Sequence, residues 1–358
     1  MFRNKIGVAV KDLIEQAGPQ GAVDIIREVL EEGKYTPEEL FSLREIWYAT
    51  EGDKDVSEAI SSDMFPQITS EIINKKLIDA YNRVKVIGDM LTTTVSSNME
   101  IETVAGFDAS ENPEEVPQGH EYEDSNITEK YVTIPHTKYG RLISITEEMI
   151  YFDKSGQILT RAQGIGEKAA QYKEKLIVEG IQDINSDVFR PSGVPTAFYR
   201  TAASGDRKIN SKSSTAFGES GLEEAFKLMH NMTDENGDYV YIDTGSLYLL
   251  VPQDLWLEAL QMSNSTLTPE SAENAVNVYK GAFTPLTSPY ITAQNNGYWY
   301  IGDFKRDFWW SEVWPLQTFT MKPGNEQEFR RDVKATFKVR FYGQIGAVDD
   351  KHSYKFTN

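Results

Sequence analysis

The chain has 358 residues, with 55 acids against 36 bases, a net charge of −19 and no cysteine. At roughly 100–200 residues per domain it has room for two or three domains and a sizeable core, and a pI near 4.7 argues against the basic face of a dedicated nucleic-acid binder. The missing cysteine excludes disulfides, thiolate-ligated zinc or iron–sulfur clusters and thiol catalysis. His120, His136, His230 and His352 are the four histidines and share no HxH or HExxH spacing. The first residues lack the apolar core of a signal peptide, and no run nears the roughly 18 apolar residues of a membrane span. This predicts a cytoplasmic, acidic, globular protein.

Residues 1–65 read as short helices. Val23, Ile26, Val29 and Leu30 recur at helical spacing up to Gly33. Thr36-Pro37-Glu38-Glu39 is a start signal, with Thr as cap, Pro at the first helical position and Glu39 closing a capping box. Leu40, Leu43, Ile46 and Trp47 give the next stripe, and a third helix after Phe65-Pro66 carries Ile68, Ile72, Ile73, Leu77 and Ile78. Alone these make a thin core, so the segment is either an arm lying on something else or a small helical subdomain.

Between Met99 and Glu129 stand ten acids and neither lysine nor arginine. Strand-like flanks bracket them (Leu91–Val95, Tyr131–Ile134, Leu142–Ile145), which predicts a long β-excursion with an acidic tip. Ser144 to Glu147 offers a cap for a short turn. Ser155 to Asp183 then carries Ile158, Ala162, Ile165, Ala169, Tyr172 and Leu176 on one face, widened by Ile177 and Ile181. That is a single helix of about 28 residues, roughly 40 Å long.

From about 185 to 318 the pattern is mixed α/β. A turn falls at Arg190-Pro-Ser-Gly-Val-Pro, a helix opens at Ser220, a buried strand runs over Ser246–Val251, and Pro252 starts another helix. The last 40 residues alternate as strands, notably Ala335 to Tyr342.

Candidate chemistry is sparse. Carboxylates of the acidic segment are hard oxygen ligands, but their spacing is irregular and fits a solvated or partner-facing loop better than a cation site. Gly164-Ile165-Gly166 lies inside the helical pattern and reads as a close-packing point rather than a nucleotide loop. Eight aromatics between Tyr298 and Trp314 (Tyr298, Trp299, Tyr300, Phe304, Phe308, Trp309, Trp310, Trp314) could stack sugars or bases, or form a structural strand and turn. There is no GxSxG, and the neighbouring Glu147 and Glu148 read as helix N-terminal acids. No catalytic residue, cofactor or metal ligand is predicted. An enzyme, or a carbohydrate-binding module using residues 298–314, is the alternative reading.

The order of elements (helical arm, acidic β-excursion, long single helix, α/β region, terminal strands) resembles the HK97-fold major capsid protein of tailed bacteriophages and prophages. So do local segments: KYGRLISITEEMIYFD over Lys138–Asp153 with Gly156-Gln-Ile-Leu-Thr-Arg-Ala, Tyr300-Ile-Gly-Asp-Phe304, and Arg331 through Ala347. The resemblance covers about residues 66–358. It implies an α+β fold with an N-terminal arm (1–65), an E-loop (99–143), a P-domain (66–98, 144–195 and 319–358, spine helix about 155–183) and an A-domain (196–318). The implied function is self-assembly into pentamers and hexamers that form the icosahedral head around double-stranded DNA, held without sequence-specific binding. A portal and decoration proteins are implied partners, with no membrane; many members carry a cleaved N-terminal scaffolding domain, for which residues 1–65 are too short and too poor in heptads, so a separate scaffolding protein is expected. The expected location is the virion, after synthesis in the bacterial host cytoplasm. Some members of the family crosslink through an E-loop lysine; residues 100–129 contain none, so no such link is expected.

Contacts between subunits are expected between Glu111, Glu114, Glu115, Glu121, Glu123 and Asp124 on one side and Arg330, Arg331, Lys334, Lys338 and Arg340, the densest basic cluster, on the other. Residues 1–129 hold 27 acids and 11 bases, so most of the charge sits on the arm and the excursion.

Overall fold

The computed structural model describes residues 21, 23–33, 36–40, 42–51, 64–105, 130–204, 207–267, 276–292, 297–321 and 330–358. Packing divides the chain into two compact units: Met1–Lys85, Lys138–Tyr172 and Trp314–Tyr342 in the first, and Val86–Thr137, Lys173–Val313 and Gly343–Asn358 in the second.

The first unit begins with helix α1 over residues 23–31, α2 (Pro37–Leu40), α3 (Leu43–Glu51) and α4 (Met64–Arg83). Pro37 stands first in α2, where its missing N–H costs nothing. The α3 start is tied down by the Leu43 N–H, which donates to Ser155 Oγ at 2.8 Å. The apolar stripes of these helices do lie on something else, and it is this same chain. Val23, Ile26, Leu30, Leu43, Ile46, Trp47, Phe65, Ile68 and Ile72 share one core with Ile143, Ile145, Ile150, Ile158, Leu159, Ala162 and Phe337. Ile78 departs from the expected stripe and is exposed, because five residues after Ile73 it has rotated some 140° around the helix.

A strand–helix junction and the long helix after it complete this unit. Strand β4 (Thr137–Thr146) runs straight into α6 (Glu147–Tyr151). The cap position falls on Thr146, while Ser144 stays in the strand. Glu147 and Glu148 occupy the first helical turn, and the Thr146 hydroxyl bonded to Glu148 holds that carboxyl below its usual range. The long helix α7 spans Ser155–Ile181, two residues shorter than expected. Gly166 is its contact point with α4: a Cβ there would lie 2.4 Å from the Leu77 carbonyl oxygen, while Gly164 faces open space. The glycine pair is thus half packing device, half solvent.

In the second unit α5 (Gly88–Leu91) leads into β1 (Thr93–Ser96), then β2 (Ile101–Ala105) and β3 (Tyr131–Pro135). β2 and β3 pair antiparallel, Ile101 opposite Pro135 and Ala105 opposite Tyr131, forming the paired base of the acidic excursion. After α7 come β5 (Ser211–Lys212), α8 (Glu219–His230), β6 (Tyr248–Val251), α9 (Trp256–Asn264), β7 (Thr284–Thr287), α10 (Pro289–Thr292), β8 (Tyr298–Gly302), α11 (Phe304–Asp307), β9 (Phe308–Met321), β10 (Val333–Ala347) and β11 (Ser353–Thr357); β9 from Trp314 on and β10 up to Tyr342 are counted in the first unit. One mixed sheet has the order β5-β11-β8-β6-β7 and a second β1-β9-β10-β4. In the first, β8 is antiparallel to both β11 and β6, while β6 and β7 run parallel.

The aromatic run is core. Trp299, Tyr300, Phe304, Phe308 and Trp310 are buried to within 1%, and Trp299 stacks on Phe356 at 4.3 Å between centroids with its indole N–H donating to the Thr215 carbonyl. Five of the eight rings therefore have no face to offer, which corrects the carbohydrate-module alternative. Along α7 the expected stripe also shifts. Ile158, Ala162, Ile177 and Ile181 are buried as expected, whereas Tyr172 is exposed and Leu159, Ala170, Glu174 and Val178 also turn inward.

Candidate functional site

No residue was predicted to be catalytic. The features that bear on function are surfaces and polar clusters that could bind.

The excursion is anchored at its base. Val132 bridges to Pro191, the Thr133 N–H donates to the Arg190 carbonyl at 3.2 Å, and Ser192 N–H donates back to the Tyr131 carbonyl at 2.8 Å. Ile134 is buried against Gly346, where a Cβ would come within 2.4 Å of it. On the opposite face Met99, Ile101 and Tyr131 are exposed, so the hairpin base is fastened on one side and apolar on the other. Glu111, Glu114, Glu115, Glu121, Glu123 and Asp124 lie outside the described residues.

The basic candidates sit on or just before β10. Arg330, Arg331 and Lys338 are exposed. Lys334 is 4% exposed, with its ammonium 3.7 Å from Glu147, so it is engaged inside its own subunit. Arg340 is half-buried and lies between two rings, its guanidinium carbon 4.1 Å from the centroid of Trp314 and 4.4 Å from that of Phe319. Lys338 stands 5.0 Å over the same Phe319 ring. This aromatic–cation ladder joins the consecutive strands β9 and β10, and its register is set by their pairing rather than by any spacing motif within either strand. Such contacts contribute about 0.5–2 kcal/mol each, more where water is excluded.

Sequence spacing also missed a polar cluster. Asp307, Asp349 and His352 bring their ligating atoms within 4.8 Å of one another, the one such trio of acids and histidine among the described residues. The neighbouring cations are already in place: Lys351 bonds Asp349 at 3.2 Å and Glu235 at 3.1 Å, and Arg306 approaches His352. Beside it lies a cavity of about 340 Å³ lined by Lys130, Phe189, Arg207, Glu235, Asp349 and Lys351 among others. Arg200 and Arg207 both donate to Asp350 Oδ2, at 2.7 and 2.8 Å. A second cavity, of about 360 Å³, is lined by Glu38, Ser42, Glu45, Lys76, Asp153 and Ser155, with Lys76 bonded to Glu38. In neither cavity is a hydroxyl held by a histidine base as nucleophilic catalysis requires. No described helix is long and apolar enough to cross a membrane.

The sequence and the fold both have counterparts among known proteins. The capsid of a native GTA particle has a TM-score of 0.50 at 11% identity, covering 76% of this chain and 91% of that one. The mature capsid of bacteriophage PhiM1 gives 0.48 at 12% identity, with 76% and 87% covered. The virus-like particle from Pyrococcus furiosus gives 0.44 at 12%, with 79% and 97% covered. No curated protein matches the sequence. The sequence model of the phage capsid protein family matches residues 130–356, well over half of the chain. The chain therefore belongs to the phage capsid protein family: it is a structural capsid protein with the HK97-like α+β fold.

Proposed function

We propose that this subunit assembles with copies of itself into pentamers and hexamers that close an icosahedral head around double-stranded DNA, and that it does so without catalysing a reaction. The observation that carries this reading is the family match across residues 130–356 together with the capsid fold. Heterologous contacts repeated around closed rings are the geometry such a shell needs. Electron microscopy and sedimentation of the expressed full chain test it. Particles of megadalton mass are expected, and a protein that stays monomeric under all assembly conditions would overturn it.

On this reading residues 99–143 serve as the E-loop, 66–98, 144–195 and 319–358 as the P-domain and 196–318 as the A-domain. The 1–65 arm has its described helices seated on their own chain, so we assign the reach to neighbours chiefly to the excursion. Its acids Glu111, Glu114, Glu115, Glu121, Glu123 and Asp124 would meet Arg330, Arg331, Lys338 and Arg340 of a neighbour, with Lys334 supporting from inside through Glu147. Single exposed pairs contribute about 0–1 kcal/mol, so the contact works as an array. The double variant R330E/R331E should leave the subunit folded by circular dichroism yet block shell closure; normal particles would sink this assignment. A separate scaffolding protein, a portal and decoration proteins complete the proposed partners, and synthesis in the host cytoplasm precedes incorporation into the virion.

A further inference from the structure

The Asp307–His352–Asp349 cluster lies outside the contact candidates named above, and its Asp307 is wholly buried in the second unit. The two Asp307 oxygens are shared out: Oδ1 accepts from His352 Nδ1 at 3.1 Å, and Oδ2 accepts from the His352 backbone N–H at 3.1 Å. Backbone bonds repeat the same tie. The Val348 N–H donates to the Asp307 carbonyl at 2.7 Å, and Asp303 N–H to the His352 carbonyl at 3.0 Å. Helix α11 and the turn 348–352 between β10 and β11 are thereby clasped together.

The other ring nitrogen decides what the cluster does. Arg306 Nη1 lies 3.5 Å from His352 Nε2, and a guanidinium can only donate. Nε2 is therefore the acceptor, and the ring proton sits on Nδ1, facing Asp307. A metal on Nδ1 would have to displace that proton and place an Nε2–H against the Arg306 cation, whereas a ligating histidine needs an acceptor at its second nitrogen. The arrangement is built for protons.

We propose that Asp307 and His352 form an acid-tightened clasp, in which protonation of His352 strengthens its bond to Asp307 and releases Arg306 to Asp303. Arg306 can move cheaply: its side chain is half exposed, and its Nε already stands 3.3 Å from Asp303 Oδ2. The groups facing the imidazole are Asp307 and Arg306 from α11 and Asp349 from the turn. Ser353 and Tyr354 flank the carboxylate from β11. Burial works to lower the His352 pKa, but the hydrogen bond and charge of Asp307, with Asp349 behind it, outweigh that and the opposing Arg306, and hold it above the ordinary imidazole value. Burial raises Asp307 as well, against the pull of His352, so the first proton the pair takes up is held along the Oδ1–Nδ1 bond, with the carboxylate still accepting from the imidazolium. Both groups thus keep their protons longer in the folded state than in the unfolded one, and the pair titrates as a unit. Its contribution to stability is complete at low pH and falls away as pH rises through neutrality.

The test is thermal unfolding of the unassembled full chain at pH 5.5 and pH 8. The wild type is expected to lose more stability on going to pH 8 than His352→Gln or Asp307→Asn does; an unchanged pH slope in His352→Gln would overturn the clasp. Should the variants fail to fold, imidazole NMR titration of the wild-type chain decides it, with the other histidines assigned through His120→Gln, His136→Gln and His230→Gln. His352 is expected to titrate above those three, and titration alongside them overturns the proposal. Added zinc is expected to leave Tm unchanged. A chelator-reversible rise in the wild type that His352→Gln abolishes would mean a metal site, and would also overturn it.

Discussion

The two units bury different things. Among the described residues the core of the first is almost wholly hydrocarbon and aromatic, its one buried charge being Lys334. The second encloses Glu174, Asp183, Asp303, Asp307, Asp350 and His352. Each of these acids has a fixed partner: Gly88 N–H donates to Glu174 at 2.8 Å, Phe198 N–H to Asp183 at 2.7 Å, and Ser246 Oγ to Asp303 at 3.1 Å. A buried charge without such partners would cost several kcal/mol. The difference teaches that one unit is held by shape and the other also by polar ties, which are directional and respond to protons.

The sharpest way to break this comparison is to damage each unit in its own currency. Trp47→Ala removes a wholly buried indole packed edge-on against Phe65 at 5.1 Å, and should cost about 3–5 kcal/mol. Denaturant unfolding should give the same loss at pH 5.5 and 8; a strongly pH-dependent loss would end the contrast. Asp350→Ala in the second unit strands Arg200 and Arg207, whose side chains are only 10% and 21% exposed. A loss of about 3 kcal/mol is expected, with a neutral result showing that the network is decorative.

Proton linkage sharpens the contrast further. Burial raises the Asp183 pKa from 3.8 to about 6, against the Phe198 N–H and Lys355. A raised acid favours the folded state below about pH 4, and that advantage is lost as pH climbs through about 6. Asp183→Asn should remove about 2–3 kcal/mol of pH dependence in that window, read from denaturant midpoints; an unaltered profile would count against the assignment. The smallest effect expected is Arg340→Lys, which gives up planar stacking for about 0.5–1 kcal/mol and leaves the pH profile unmoved.

How much of this was readable from sequence follows from the same contrast. Helix α7, the strands flanking the acidic segment and the stripe Ile68–Ile72–Ile73–Leu77 rest on periodicity, which is a local signal. The inward Glu174 was not readable, because its partners are the backbone N–H groups of Ile87 and Gly88, 86 residues away for the closer bond, and backbone donors leave no mark in side-chain chemistry. Asp307 and His352 are 45 positions apart, on elements that only the folded sheets bring together. The aromatic run was visible as composition, but its burial depended on Phe356 and Thr215, far along the chain. The six acids offered as contact candidates lie outside the described residues, so their role rests on charge alone.

The ladder at Arg340 has a consequence for association. A free arginine side chain samples many rotamers, and ordering it at an interface costs about 0.5–1.5 kcal/mol. Here Trp314 and Phe319 clamp the guanidinium when the subunit folds, so that entropy is lost before any encounter. In the proposed contact a carboxylate reaching this strand would meet a donor plane whose orientation is already settled, and dissociation would return no freedom to it. Rings that fill space between strands would thereby favour slow release of that contact.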